Sequence, residues 1–355
     1  MEKKNSIAWI NYVRAICMFF VYFLHTENRA HYDFLERNVD VFFSPFYINA
    51  FFIVSGYLLY RKQELIYQKV RSCHSWYKQY GKEYLLSIVF KLIIPSMLFS
   101  FVMFFPKMMI RHQDIKLSAL LMQTIGGGTM WFVSALAVAQ FLIFILLFFR
   151  KFSLLLWVGF GGVLFFIAYL LHGFGIGNAP FYFQSGLSAV FFLSMGALLY
   201  KFENHLALNL KLLLALFVFY VLLVYNVKSF VALEYVKVNF QGIVLCLMSS
   251  FILISFCKKI KPSRTIENVG RSTIGLYFLS GAVPECVSLI VKRFFEFNSV
   301  VFLSVVFISF FLSIVLNEFL LKYAGFVFDL RKLMICKQKR EIVELNESCE
   351  NKKRE

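Results

Sequence analysis

A run of apolar segments, each near twenty residues long, recurs from residue 7 to about residue 321. About twenty apolar residues are what a helix needs to cross a bilayer. Lipid offers no partner for an unpaired backbone N–H or C=O, so a spanning segment must be a helix or part of a closed barrel. Barrel strands would be shorter and would alternate in polarity. The pattern instead predicts an all-α fold, a polytopic transmembrane helical bundle. About ten spans are expected, at 7–25, 41–60, 84–105, 130–149, 153–171, 183–200, 209–225, 238–257, 273–291 and 299–321. The fourth and fifth form a hairpin if the chain turns at Arg150-Lys151. Composition agrees: 60% of the 355 residues are apolar and 16% are charged, against about half and a quarter in soluble domains. That excludes an ordinary soluble domain and a disordered chain. The 46 Phe residues point to no particular function.

Charge gives orientation. A net charge of +17 in a soluble protein would suggest nucleic acid, but here the cations lie between apolar segments, where they set topology. With the N-terminus inside, segments 1–6, 61–83, 150–152, 201–211, 258–272 and 322–355 carry a net +15 and the outer loops only +2. Both termini are therefore expected in the cytoplasm, and no nucleic-acid partner is expected. Seven scattered Cys, without a CxxC pair, argue against a disulfide framework or zinc site. The first apolar run holds Asn11 and Arg14, and no small-residue cleavage site follows, so it is expected to stay as the first span. Residues 1–326 form one membrane domain. Residues 327–355 read as a charged cytoplasmic tail with too few apolar residues for a core.

One constellation carries chemistry. Arg14 and His25 are eleven residues apart on the first span. Eleven steps of about 100° end about 20° past three turns, so both project from one face, about 16 Å apart along the axis. An Arg in a span costs about 2.5–3.5 kcal/mol on insertion scales and should face protein or water. Its fork suits phosphate or carboxylate, and imidazole can take and return a proton near neutral pH. From spacing alone two readings stay open. Arg14 could pair with Glu285 or Glu318 while His25 caps an interfacial helix, or the two could serve a reaction with an anionic donor.

Five stretches in order resemble one family: IAWINYVRAICMFFVYFLH at the first span, FYINAFFIVSGYLLYRK at the second, TMWFVSALAV at 129–138, FFLSMGALLY at 191–200 and VGRSTIGLYFLSG at 269–281. Together they are similar to the integral-membrane acyltransferase 3 family. The resemblance implies transfer of an acyl group, often acetyl, from acyl-coenzyme A to a hydroxyl of a sugar or other surface molecule. It implies His25 as catalytic base and Arg14 as a group that holds the donor's anionic part or orders the site, with Ser55, Gly56 and Trp131 matching later motifs. The branch acting on bacterial exopolysaccharide or capsule resembles it most. The chain departs from the pattern at Asn11, where many relatives are acidic but which can still hydrogen-bond Arg14 or substrate, and at Leu279-Ser280-Gly281, where many have His. An esterase-like domain found in many relatives is not expected here.

Other residues were weighed on their chemistry. Ser55-Gly56 suits close helix packing as well as a donor site. Tyr47 and Asn49 could line the groove with His25, and Trp131 or Asn49 could donate to an oxyanion. Lys91 either snorkels to the interface or meets donor phosphates with Arg61, Lys62, Arg71 and Lys78, a basic set that also suits lipid headgroups. Glu318 could orient His25 or pair with Arg14; Glu285, beside Pro284, could instead mark a kink. Gly126-Gly127-Gly128 reads as a flexible entrance to the fourth span. His25, Glu27, His31 and Asp33 lack metal-ligand spacing, so no metal is expected.

The resemblance therefore implies a membrane O-acyltransferase of the bacterial cytoplasmic membrane. Acyl-coenzyme A is expected as donor substrate, a cell-surface or exported glycan as acceptor and membrane lipids as surroundings, with no cofactor bound tightly. The main rival is a transporter or flippase without group transfer, and a third reading is a non-catalytic membrane assembly factor of a glycan pathway. Oligomeric state is left open.

Overall fold

The computed structural model describes residues 8–30, 41–70, 73–110, 114, 116–149, 153–174, 180–203, 208–226, 240–261 and 263–331. Of these, 89% are helical and none lies in a strand. In chain order the helices are α1 (Ala8–Ala30), α2 (Val41–Val70), α3 (a helical run from Cys73 to Ile110), α4 (Leu117–Thr124), α5 (Trp131–Phe149), α6 (Leu154–Gly173), α7 (Phe183–Phe202), α8 (Leu210–Asn226), α9 (Phe240–Cys257), α10 (Arg264–Arg271), α11 (Thr273–Ser280), α12 (Val283–Lys292) and α13 (Ser299–Tyr323). The turns at Arg150-Lys151, His31, Asp33, Arg71 and the tail beyond 331 lie outside the described residues.

Each expected apolar segment is helical over its described core. Among the described residues seven helices are long and apolar enough to cross a membrane, and α11 with α12 makes an eighth, bent by 45°. The described parts of α8 and α9 are shorter apolar helices. The bend has a local cause: Pro284 sits in the first turn of α12, where it lacks an N–H and clashes with a continuing helix. The kink reading of Pro284 thus holds.

Two expected boundaries move. The second and third spans were expected to be joined by a loop over 61–83. Instead α2 runs on to Val70 and α3 begins at Cys73. Gln63 Oε1 accepts a 2.8 Å hydrogen bond from Trp76 Nε1, and Tyr67 donates to the Leu147 carbonyl at 3.0 Å. These inward contacts make the joint a packed pair of helix ends rather than a loop. The α3 run contains π turns at Tyr77–Gly81 and Val89–Ile93, and Lys91 stands in the second. π turns insert an extra residue into the helix and shift the side chains that follow.

Helix α1 is central to one half of the bundle, packed against α2, α9, α10, α11, α12 and α13. Helix α7 is central to the other, packed against α2, α5 and α6. The halves meet where α2 crosses α7. A Cβ on Gly56 would lie 2.0 Å from the Leu193 carbonyl oxygen, and one on Gly196 would lie 2.0 Å from that of Ile53. Small residues let backbones approach this closely in lipid, where water supplies no hydrophobic drive between helices. The crossing assigns Gly56 of the Ser-Gly pair to packing and leaves Ser55 beside it.

Candidate active site

The crossing of α1, α2, α5 and α11 leaves a cavity of about 300 Å³. Its polar lining is Arg14 from α1, Ser55 and Lys62 from α2, Gln140 from α5, and Arg271, Thr273 and Tyr277 around the start of α11. Phe51, Leu92 and Phe132 are among the apolar groups of its wall. Tyr277 is held by its hydroxyl, which accepts from the Phe132 backbone N–H at 3.3 Å, and the two rings are 5.3 Å apart. Arg271 pairs with Glu267 one turn back on α10 at 3.0 Å. Arg14 has neither ion pair nor hydrogen bond among the described residues, and no acid lines the cavity. A guanidinium with two further cations, Lys62 and Arg271, and no acid on the same wall is an arrangement that an anion would complete.

A larger cavity of about 590 Å³ adjoins it, since Leu58 and Lys62 line both. Its basic lining is Arg61, Lys62, Lys69, Lys91 and Arg331, set against one acid, Glu83. Both volumes fall in the range of about 300–1,000 Å³ usual for small-molecule sites. At the edge of the larger cavity, Arg331 donates to both carboxylate oxygens of Asp329, at 2.9 and 2.8 Å. This fork holds the Asp329 carboxyl below its usual range, and Lys91 adds to the effect from 3.8 Å.

The profile of an acyltransferase domain, acyltransferase 3, matches residues 7–318. The chain belongs to the acyltransferase 3 family. No curated protein and no solved structure matches it. Family membership makes it a multi-pass membrane protein of an acyltransferase family, and the match covers every group on the smaller cavity.

In this acyltransferase the sequence-predicted residues divide by place. Arg14 and Ser55 share the smaller cavity, and Lys91 lines the adjoining one. His25 is partly buried on α1, about 16 Å along the axis from Arg14 by helical rise. Its end of the helix packs through Phe23 and Leu24 against Phe302 and Val306 of α13, with Tyr47 beside them. Asn49 is 1% exposed; its Nδ2 donates to the Pro45 carbonyl at 2.7 Å, and its Oδ1 has no partner among the described residues. Asn11 is buried where α10 crosses α1, its carbonyl oxygen 2.0 Å from where a Cβ on Gly270 would stand. Trp131 stands one residue from the cavity-lining Phe132 and faces Tyr182, with ring centroids 6.0 Å apart.

Two expectations are corrected. Glu318 is exposed on α13 and forms no pair with Arg14 or His25 among the described residues. The inward stripe of that helix is Ser309, Ser313 and Asn317, all buried; each is four residues from the next, and Glu318 falls one step of about 100° off it. Gly126-Gly127-Gly128 is a packed turn rather than a flexible entrance. Gly127 adopts φ +73°, Ser134 Oγ donates to its carbonyl at 3.4 Å, and the Gly126 carbonyl accepts from the Phe181 N–H at 2.9 Å.

The residues that sequence reasoning missed are Gln140, Arg271, Thr273 and Tyr277 on the smaller cavity, and Lys69, Glu83 and Arg331 on the larger. A polar residue inside an apolar helix, such as Gln140, was a readable signal. Arg331 lay in a stretch read as tail.

Proposed function

We propose that this acyltransferase moves an acyl group, acetyl in the first instance, from acyl-coenzyme A to a hydroxyl of a cell-surface or exported glycan. It works in the bacterial cytoplasmic membrane with both termini inside. The observation that supports this reading is the guanidinium of Arg14, without an acid beside it, in a cavity that shares Leu58 and Lys62 with a larger basic one. A donor with a polyanionic head and a thin thioester arm matches that pair in order: phosphates among Arg61, Lys62, Lys69, Lys91 and Arg331, and the arm past Lys62 towards Arg14.

The chemistry is the one the family resemblance implies, and it requires the donor arm to pass Arg14 and reach His25, about 16 Å farther along α1. His25 removes the proton from the acceptor hydroxyl as its oxygen attacks the thioester carbonyl. The tetrahedral oxyanion collapses, the C–S bond breaks, and the coenzyme A thiolate takes the proton back from the imidazolium. The products are an O-acyl ester and free coenzyme A. Asn49, whose side-chain nitrogen already serves Pro45, and Trp131 are the candidate oxyanion donors. Attack by His25 itself, through an acyl-imidazole, balances equally.

The test is turnover by purified protein in lipid nanodiscs. Acetyl-coenzyme A with membrane glycan should release free thiol, and the glycan should gain one acetyl mass per event. Movement of glycan across a vesicle membrane without any ester would replace this reading with the transporter.

A further inference from the structure

The last described stretch of chain turns back after α13 and docks on the bundle. Gly325–Phe328 forms one 3₁₀ turn. The Phe328 ring stacks on Phe99 of α3, with centroids 5.4 Å apart and planes at 28°, and lies nearly parallel to Phe278 of α11 at 6.5 Å. Phe99 and Phe278 also stack on each other at 4.6 Å. Gly275 leaves the room, since a Cβ there would come within 3.0 Å of the Phe328 ring. The expected boundary at 326/327 therefore falls inside a docked turn.

Docking Phe328 delivers the next residues to the basic cavity. Arg331 and Lys91 are on its wall. Asp329 lies between them, forked by Arg331 and 3.8 Å from Lys91 Nζ. The Asp329 side chain is only 17% exposed, whereas Lys91 is 48% exposed. A guanidinium fork that fits a carboxylate also fits two phosphate oxygens. Residues 319–331 lie beyond the family match, which ends at 318, so membership of the family does not supply this contact.

We propose that Lys91 and Arg331 form a phosphate-type anion seat and that Asp329 is its built-in occupant, a carboxylate that an incoming polyanion must displace. Applied to the donor, this rests on the acyl-coenzyme A reading above. A ligand with several adjacent charges displaces a single carboxylate because it satisfies both cations and gains from Lys62 and Arg61 as well. The strap therefore sets how much donor is needed before the cavity fills. In the empty state its single charge offsets one of the two positive charges, chiefly that of Arg331.

The test compares wild type with Asp329→Asn in detergent, using inorganic pyrophosphate as probe and calorimetry as readout. The amide keeps an acceptor for Arg331 and removes the competing charge. D329N should bind pyrophosphate about 3- to 10-fold tighter, a difference of up to about 1.4 kcal/mol. KM for acetyl-coenzyme A should fall in step, and Lys91→Gln in the D329N background should cancel the gain. Equal or weaker pyrophosphate binding by folded D329N overturns the proposal. Asp329→Ser is the second variant, for use if D329N does not fold: it removes the carboxylate and leaves the Phe328 stack and both cations in place, and it should also tighten binding, with no tightening counting against the seat. The two readings fail separately. Tighter pyrophosphate binding in D329N with no turnover of acyl-coenzyme A keeps the seat and removes the donor. Turnover with the same KM in both proteins keeps the donor and removes the displaced carboxylate.

Discussion

Arg14 is the residue whose surroundings ask for most explanation. Removing one member of a buried ion pair usually strands its partner at a cost of about 3–5 kcal/mol. Arg14 has no such partner among the described residues, so Arg14→Gln should leave the unfolding temperature in detergent unchanged or higher. Its effect should fall on the donor instead, raising KM for acyl-coenzyme A tenfold or more. A large fall in stability would mean that Arg14 holds the bundle together. His25→Ala should act on kcat, lowering it by about 10²–10⁴ as expected for loss of a general base, while the donor still binds. Glu318→Gln should change neither parameter by more than twofold. Sequence could show that two side chains share a helix face, because helical pitch decides that. It could not show that Glu318 points outward, because both faces of α13 are apolar enough for lipid, and only the neighbours of Ser309, Ser313 and Asn317 tell inside from outside. The carboxyl of Asp329 adds a pH term. Its folded pKa is depressed, chiefly by the Arg331 hydrogen bonds. The stability it contributes is present above the ordinary carboxylate pKa of about 3.9. It is lost only as pH falls through the lower folded value. Unfolding curves of wild type and D329N should therefore differ at pH 7 and converge in strong acid.

Among elements, the α2–α7 crossing carries the sharpest expectation. Gly56→Ala or Gly196→Ala sets a methyl 2.0 Å from a backbone oxygen, and backbone cannot rotate away as a side chain can. Overpacking of this kind costs about 1–3 kcal/mol or more, so each variant should unfold several degrees lower and aggregate on extraction. Gly159→Ala and Gly162→Ala on α6 are the contrast. Nothing lies within 4 Å of either added methyl, and replacing a mid-helix Gly by Ala gains about 0.5–1 kcal/mol. Helix existence was legible in the sequence because hydropathy measures transfer into lipid, which is what makes these segments helical. Helix ends were less legible. Residues 61–83 are charged enough to resemble a loop, yet Gln63, Tyr67 and Trp76 bond inward, and that tertiary pairing extends α2 and α3 past the apolar stretch. The packed Gly126–Gly128 turn escaped for the same reason: its partner, Phe181, is more than fifty residues away.

For the whole molecule, the charge asymmetry of +15 against +2 predicts the sidedness of the bundle. A C-terminal fusion to alkaline phosphatase should be inactive in cells, and a fusion to green fluorescent protein should fluoresce. The opposite pair of results would turn the basic cavity to the outside and deny it cytoplasmic acyl-coenzyme A. The apolar pattern sufficed for the class of fold. The two adjoining cavities did not follow from it, since they are made by residues from six segments far apart in the chain.

Helix α2 has one consequence at the water's edge. Its 30 residues extend about 45 Å at 1.5 Å each, against a hydrocarbon layer of about 30 Å. With some tilt, two or three turns stand among the headgroups, carrying Arg61, Lys62 and Lys69 with them. A negatively charged bilayer then competes with any soluble polyanion for the same cations. Raising the phosphatidylglycerol content of a proteoliposome should slow the protein at low ionic strength, and added salt should narrow the difference.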